Sequence, residues 1–165
     1  EEALQAAAEA LFEKALDVLV ETREREGEKL AAMVIERLQQ LESEVVATRD
    51  ILPELKQQQR ERITNRIAEL DIEMDHSRLE QELVHLAQKA DVDEELDRLE
   101  AHVSEVRHAL QKGGPCGRRL DFLMQELNRE ANTLSSKSTS SGTTQSAVEL
   151  KVLIEQMREQ IQNIE

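Results

Sequence analysis

The chain has 165 residues, 34% of them charged, and carries a formal net charge of −14. It contains no Trp or Tyr and only two Phe, which excludes the stacked aromatic platforms of general single-strand binders. Strong helix formers such as Leu, Ala, Glu, Gln and Arg dominate, and only two prolines interrupt them. We therefore predict an all-α protein, an elongated bundle of long antiparallel helices with an aliphatic core.

The negative charge is unevenly distributed along the chain. Residues 112–165 hold seven basic and seven acidic side chains, so the whole excess lies in residues 1–111. A net charge of −14 opposes binding to nucleic acid. The C-terminal third can nevertheless present a local positive patch.

Cys116 is the only cysteine, which excludes an intrachain disulfide and a zinc site of the paired-cysteine kind. A single cysteine fits a reducing compartment, and we expect a cytoplasmic protein. No apolar run approaches the roughly 20 residues of a membrane-spanning helix. We expect no membrane partner and no small-molecule cofactor.

The first half of the chain predicts long helices. Residues 3–24 and 28–50 carry apolar stripes, formed by Leu4, Ala8, Leu11, Ala15 and Leu19 and then by Leu30, Val34, Leu38, Leu41 and Val45. Gly27 is a candidate soft break between them, and the pattern leaves open whether they form one helix or two. Pro53 is expected to end or restart the helix. Residues 54–75 then predict a long exposed helix with a coiled-coil-like seam of Ile63, Ile67, Leu70 and Met74.

The second half predicts shorter helices. One stripe comprises Leu79, Leu83, Leu86 and Ala90, and Asp91 with Glu94 resembles a capping box for the next helix, whose stripe is Leu96, Leu99, Val103, Val106 and Leu110. After the loop at Gly113–Pro115, residues 117–137 form a helix, and Ser135 to Ser146 predict a mobile polar linker. Thr144 or Ser146 then caps a last helix with the stripe Leu150, Ile154, Met157, Ile161 and Ile164. We divide the chain into a long helical region, 1–76, and a C-terminal helical domain, 77–165.

The segment from Gly117 to Lys137 has two different faces when it is drawn as a helix. One is an apolar stripe of Leu120, Leu123, Leu127, Ala131 and Leu134. The other, one position further on, is a row that we call the polar ridge, consisting of Asp121, Gln125, Asn128 and Asn132. Asp and Asn are poor residues for a helix interior because their short side chains compete for backbone hydrogen bonds. The row therefore indicates another role.

Two interpretations of the polar ridge remain open. In one, Asp121 and nearby acids hold a divalent cation, which takes oxygen ligands, while the carboxamides contact RNA. In the other, the ridge makes hydrogen bonds between helices at a polar oligomer seam. Glu126 and Glu130, one turn apart, either add carboxylates to the metal or form an exposed acidic edge paired with Arg.

Other candidates lie nearby. Glu95, Arg98 and His102 share one helix face, and His102 is either a metal ligand or general acid/base, or an ordinary surface histidine. Arg118, Arg119, Arg129, Lys137 and Lys151 either neutralise phosphates or balance charge. The pairs Glu82–His85 and Glu105–His108 have the Glu-x-x-His spacing of di-iron bundles, which also arises by chance in a chain this rich in Glu.

The segment GRRLDFLMQELNREANTLSSKS resembles the signature of the YicC/YloC family of bacterial endoribonucleases. Two further segments agree with it, DVDEELDRLEAH (Asp91 to His102) and ELKVLIEQMREQIQNIE (Glu149 to Glu165). Proteins of this family are longer and have an additional N-terminal domain. The resemblance thus implies that this chain is the C-terminal part of such a protein, inactive on its own.

The resemblance implies metal-dependent cleavage of single-stranded RNA by a homo-oligomer, a hexamer, with Mn²⁺ or Mg²⁺ as cofactor. Together with the polar ridge, it leads us to expect catalytic roles for Asp121, Glu126 and His102, and metal ligation by Asp121, Glu126, Glu130 and Glu95. The expected RNA contacts are Arg118, Arg119, Gln125, Asn128, Arg129, Asn132 and Lys137. The alternative function is a non-enzymatic helical oligomerisation or adaptor module, which uses the same stripes for protein contacts only.

Overall fold

The computed structural model describes residues 1–69 and 76–162, and these residues form five α-helices and no strand. The helices are α1 (Glu2–Glu69), α2 (His76–Lys89), α3 (Asp93–Lys112), α4 (Gly117–Lys137) and α5 (Ser141–Ile161). The predicted all-α class is confirmed. No helix within the described ranges is both long enough and apolar enough to cross a membrane.

The second half of α1 packs with α3, α4 and α5 into a four-helix bundle. Helix α1 contacts α3 and α5, and α4 contacts the same two helices. Two ion pairs show the direction of α3 relative to α1. Glu42 pairs with Arg107, and Lys56, which lies further along α1 and two turns beyond Arg49, pairs with Asp93. The earlier residue of α1 thus contacts the later residue of α3, so the two helices are antiparallel. The turns between α3, α4 and α5 are short, which makes these neighbours antiparallel as well.

The bundle core is built from apolar residues at helical spacing in all four helices. Its largest fully buried side chains are Leu38, Leu41, Leu96, Leu99, Leu120, Met124, Leu127, Leu134, Leu150, Ile154, Met157 and Ile161. Burial of one such side chain stabilises the fold by about 1.5–3 kcal/mol. Because α1 supplies part of this core, the two predicted regions, 1–76 and 77–165, share it.

Helix α1 runs unbroken through Gly27, so residues 3–24 and 28–50 belong to one helix. It also continues through Pro53, so the predicted end or restart there is wrong. A proline inside a helix costs about 3 kcal/mol because it removes one hydrogen bond and crowds the preceding turn. Packing on both sides of Pro53 offsets this cost. Before the proline, Thr48 and Leu52 are buried. After it, Leu55 lies so close to Gly142 of α5 that a methyl group at Gly142 would be in van der Waals contact with it, at 3.6 Å from Cδ1.

Side chains of α2 approach the far end of α1. Arg60 Nη2 lies 2.7 Å from Glu80 Oε1, and Leu83 is buried between the two helices. Ile63 and Ile67 of the predicted seam are half-buried. Leu70 and Met74, the rest of that seam, lie outside the described residues, as does Ile164 of the last stripe.

Helix α3 begins one residue later than the predicted capping box requires. Its N-cap is Val92, which makes no side-chain capping bond. Asp91 still accepts a hydrogen bond from the Asp93 backbone N–H, at 3.3 Å to Oδ1. The aspartate thus satisfies one free N–H of the first turn from just outside the helix.

The predicted linker 135–146 is wrong as a description of secondary structure, because only Ser138–Ser140 separate α4 from α5. Ser140 is the N-cap, and its Oγ accepts a hydrogen bond from the Thr143 backbone N–H at 3.2 Å. Thr143 and Ser146 are buried in the bundle. The polar composition suggested a loop, whereas capping and burial give these hydroxyl residues places in a helix.

Residues 1–29 of α1, which we call the arm, extend beyond the bundle for about 43 Å at the usual helical rise. Leu4, Leu11 and Phe12 are 76%, 70% and 65% exposed, and Leu16, Val18, Leu19 and Val20 are also exposed. The predicted apolar stripe is therefore present but unpaired within the described residues. Contiguous exposed apolar side chains of this kind mark interaction surfaces.

Candidate functional site

The two predicted faces of α4 have different environments. The apolar stripe is buried in the bundle as expected. The polar ridge is exposed or half-exposed, and its members bond to one another along the helix. Gln125 Nε2 donates to Asp121 Oδ2 at 2.8 Å, and Asn132 Nδ2 donates to Asn128 Oδ1 at 3.4 Å. The ridge is thus not packed against another of the five described helices and is accessible to a ligand.

An open depression of about 380 Å³ lies alongside the ridge, between α4 and α5. It is lined by Met124, Gln125, Asn128, Arg129, Asn132, Thr133 and Arg158, and none of these residues is acidic. The three carboxamides offer both hydrogen-bond donors and acceptors, and the two arginines supply positive charge. This combination suits a ligand that has both an anionic group and a polar, flat group.

Arg158, Met124 and Thr133 are lining residues that the sequence did not indicate, and Arg158 is the charged one. Arg158 follows Met157 on α5, and the sequence pattern of that helix indicates only an apolar stripe. Its Nε is buried without a hydrogen-bond partner in the described structure. Nη1 lies 3.6 Å from Glu155 Oε2, which is too long for a hydrogen bond. Only the antiparallel packing of α5 against α4 indicates that Arg158 lies beside the polar ridge.

Two predicted metal ligands instead form ion pairs across the seam between α3 and α4. Glu95 and Glu130 are 4% and 3% exposed. Lys137 Nζ lies 2.8 Å and 3.0 Å from the two carboxylate oxygens of Glu95, and Arg98 Nη1 lies 3.4 Å from Glu130 Oε1. We call these pairs the α3–α4 ladder. Each helix contributes one acid and one base to it, so both buried charges are compensated.

Arg98 interacts with acids on two helices. The nearby carboxylate of Glu94, together with the hydrogen bond to Glu130, raises the pKa of Arg98 above its usual value. Its guanidinium is bonded to both acids, one on its own helix and one on α4. Arg98 therefore joins the two helices rather than presenting a free cation.

The remaining predicted residues lie elsewhere on the bundle. Arg118 and Arg119 are exposed in the first turn of α4, and Arg119 Nη2 lies 2.6 Å from Glu105 Oε2 on α3. Glu126 is half-buried on α4. His102 is half-buried on α3, a helix that contributes nothing to the depression.

The described ranges contain no group of three or more His, Cys, Asp or Glu side chains placed to hold a metal ion. Of the four predicted ligands, Glu95 and Glu130 belong to the ladder, and Asp121 and Glu126 lie about 140° apart around α4. The di-iron alternative does not fit either, because Glu82, His85, Glu105 and His108 are all exposed, whereas such a site needs inward-facing ligands.

Comparison with known proteins agrees with the signature found on α4. Residues 48–165 match the family model of the C-terminal domain of YicC-like endoribonucleases. The chain belongs to the YicC-like endoribonuclease family. The resemblance stated from the sequence is therefore confirmed, and every candidate site residue falls within the matched part.

Two curated relatives extend this match towards the N-terminus. The probable endoribonuclease YicC of Haemophilus influenzae is 53% identical over 154 residues, which cover 93% of this chain and 54% of that protein. The probable endoribonuclease YicC of Clostridioides difficile is 38% identical over 156 residues, which cover 93% of this chain and 53% of that protein. The chain thus spans about half the length of these YicC relatives.

Proposed function

We propose that this chain is the RNA-binding part of a metal-dependent endoribonuclease that cleaves single-stranded RNA as a homo-oligomer. The observation that carries the proposal is the acid-free depression between α4 and α5, which lies on the signature helix of a family named for RNA cleavage. Its arginines suit phosphates and its carboxamides suit base edges. This is the combination that a segment of RNA requires.

Local charge explains how a protein of net charge −14 can bind a polyanion. The lining of the depression carries two arginines and no carboxylate, so a phosphate placed there meets favourable charge at short range. More distant acids are screened over about 8–10 Å at physiological salt. The negative surface of residues 1–111 then excludes RNA from the rest of the molecule.

The depression favours single-stranded over double-stranded RNA. Its volume of about 380 Å³ is at the lower end for ligand sites and accommodates a nucleotide unit rather than a duplex. Carboxamides recognise bases by hydrogen bonds to their edges, and in a paired A-form helix these edges are largely inaccessible. A single strand can turn its base towards Gln125, Asn128 and Asn132.

A divalent cation fits this site through Asp121. Oδ2 of Asp121 accepts the hydrogen bond from Gln125, and its other oxygen has no partner among the described residues. Mg²⁺ and Mn²⁺ commonly use one or two carboxylates and complete their shell with water and substrate phosphate. Such an ion would polarise the scissile phosphodiester and neutralise part of its charge. Glu126, five residues further along α4, lies about 140° around the helix from Asp121 and so on a different face.

The arm is the proposed contact between copies of the chain. Its apolar side chains repeat at the spacing of a helix–helix seam, and a second arm would cover them. The same surface is the specific observation that favours the alternative function, a non-enzymatic adaptor module. In that case, the arm would associate in the same way while the depression would have no RNA ligand.

Cleavage of a labelled single-stranded RNA, with added Mn²⁺ and then with EDTA, separates the two functions. The assay uses a protein of the full length of the curated relatives, with Asp121→Asn as the variant and Asp50→Asn, exposed on α1, as the matched control. We expect cleavage that EDTA stops, that Asp121→Asn abolishes and that Asp50→Asn retains. Absence of cleavage by the unaltered protein would favour the adaptor, and cleavage insensitive to EDTA would remove the metal.

A further inference from the structure

The arginines of the bundle differ in whether acids neutralise them. Arg49, Arg107 and Arg119 each lie within 2.9 Å of a carboxylate oxygen on another helix, and Arg98 is bonded to two acids. Arg129 has no carboxylate partner among the described residues. Arg158 approaches only Glu155, at 3.6 Å. Arg129, which has no carboxylate partner in the described part of the chain, and Arg158, which has only this distant one there, both line the depression.

The guanidinium of Arg158 has hydrogen-bond donors that no described residue uses, and its nearest acid is Glu155, at 3.6 Å. Its Nε is buried and makes no hydrogen bond, although an arginine has five N–H donors in a fixed planar arrangement. The side chain as a whole remains 39% exposed, so its outer N–H groups are accessible. A phosphate in the depression would accept two parallel hydrogen bonds from these outer N–H groups, in the geometry that arginine favours.

We propose that Arg158 is an RNA-binding residue, which together with Arg129 holds neighbouring phosphates of a single-stranded RNA segment. The base between these phosphates lies against the carboxamides of Gln125, Asn128 and Asn132. This assignment rests on the proposed function, and it adds helix α5 to an RNA site that the sequence placed on α4 alone. The bound strand then follows the groove between α4 and α5, away from the ladder.

Binding of a short fluorescent single-stranded oligoribonucleotide, measured by anisotropy on this chain, tests the proposal. Arg158→Gln removes the charge, Arg158→Lys keeps the charge but loses the planar donor pair, and Arg62→Gln removes a charge from an exposed position on α1. We expect Arg158→Gln to weaken binding about tenfold and Arg158→Lys to weaken it less. Arg62→Gln should leave the affinity unchanged.

The salt dependence of binding provides a second readout. Loss of one phosphate contact lowers the slope of log affinity against log salt by about one, whereas a general loss of fold does not produce this selective change. Circular dichroism melts of all three variants verify that they fold. A folded Arg158→Gln variant with the affinity and salt slope of the unaltered chain would overturn the proposal.

Competitors and a parallel cleavage assay separate the remaining possibilities. Unlabelled RNA should displace the probe, whereas inorganic phosphate that displaces it at equal concentration would indicate an isolated anion site and overturn the proposal. Normal cleavage by Arg158→Gln with unchanged binding would refute the role of Arg158 and leave the proposed function intact. Loss of binding in this variant, in a protein that cleaves no RNA, would support Arg158 and refute the nuclease.

Discussion

Lys137 Nζ on α4 lies 2.8 Å from Glu95 Oε1 on α3, and the glutamate is almost fully buried. Sequence reasoning had assigned the lysine to RNA and the glutamate to a metal. In the structure each neutralises the other, and the neighbouring pair Arg98–Glu130 repeats the arrangement. The ladder thereby fixes how α4 is rotated against α3. That rotation is what turns the polar ridge outward.

Replacing Glu95 should therefore destabilise the fold. Glu95→Gln leaves Lys137 without its counterion at a seam where its side chain is only 32% exposed. We expect a loss of about 1–3 kcal/mol in the free energy of unfolding, because Gln keeps an acceptor for Lys137 but loses the charge that strengthens these hydrogen bonds. Urea denaturation followed by circular dichroism measures this change.

The matched control for that experiment is Glu82→Gln, an exposed position on α2. It should change the free energy of unfolding by less than about 0.5 kcal/mol. If Glu95→Gln is as stable as the control and yet loses Mn²⁺-dependent cleavage, Glu95 is a metal ligand and the structural role is wrong.

The apolar stripes were predictable from sequence, but the continuity of the helices was not. Leu120, Leu127 and Leu134 are buried where their spacing placed them, because the side of a helix that packs follows directly from its period. The predictions at Pro53 and at the Ser/Thr-rich segment were wrong because packing against other helices outweighs the low helix propensity of these residues. That packing depends on residues far away in the sequence.

In the candidate site, too, features of a single helix were predictable and features that depend on two helices were not. The polar ridge lies on one helix, so its spacing alone revealed it. Arg158 and the ladder depend on which residues of two helices lie side by side, and no single helix pattern contains that register. Because that register is not visible in the sequence, Glu95 and Glu130 were predicted as metal ligands, although each pairs with a cation on the neighbouring helix.

Asp91 should contribute stability that depends on pH. Burial alone would raise its pKa, but the hydrogen bond from the Asp93 backbone and the charge of Lys56 outweigh it, so the pKa is lowered. A lowered pKa stabilises the fold above the unfolded value of about 3.9, and this stability is lost as the pH falls through the lower folded value. Because the side chain is half-exposed, the effect should be below about 1 kcal/mol.

Unfolding of Asp91→Asn in urea, at a series of pH values, tests this assignment. Asn keeps the hydrogen-bond acceptor and removes only the charge, and Asp50→Asn is the exposed control. The variant should be less stable than the unaltered chain at pH 7 and equal to it at strongly acidic pH. A deficit that is the same at every pH would show that the charge of Asp91 is irrelevant.

The N-cap of α5 should stabilise the turn that joins it to α4. Ser140→Ala removes the acceptor of the Thr143 N–H and should cost about 1 kcal/mol of unfolding free energy. Ser141→Ala, at the exposed first residue of the helix, should cost much less. Equal losses in thermal or urea melts of the two variants would place the cap elsewhere.

The arm should hold copies of the chain together. Leu11→Glu places a charge in the exposed apolar stripe, whereas Ala10→Glu adds the same charge about 100° around the helix, away from the stripe. Sedimentation velocity should show a smaller assembly for Leu11→Glu and an unchanged one for Ala10→Glu. A monomeric unaltered chain, or an equal response of both variants, would exclude the stripe as the interface.

The central claim is that single-stranded RNA binds in the depression between α4 and α5, and the side-chain N–H signals of the chain test it most directly. In a nitrogen-15 NMR titration with single-stranded RNA, we predict shifts of the amide groups of Gln125, Asn128 and Asn132 and of the Nε–H of Arg129 and Arg158. The Nε–H of Arg98 in the ladder should not move. Shifts confined to Arg98 and other residues outside the depression, with the carboxamides unchanged, would contradict the account.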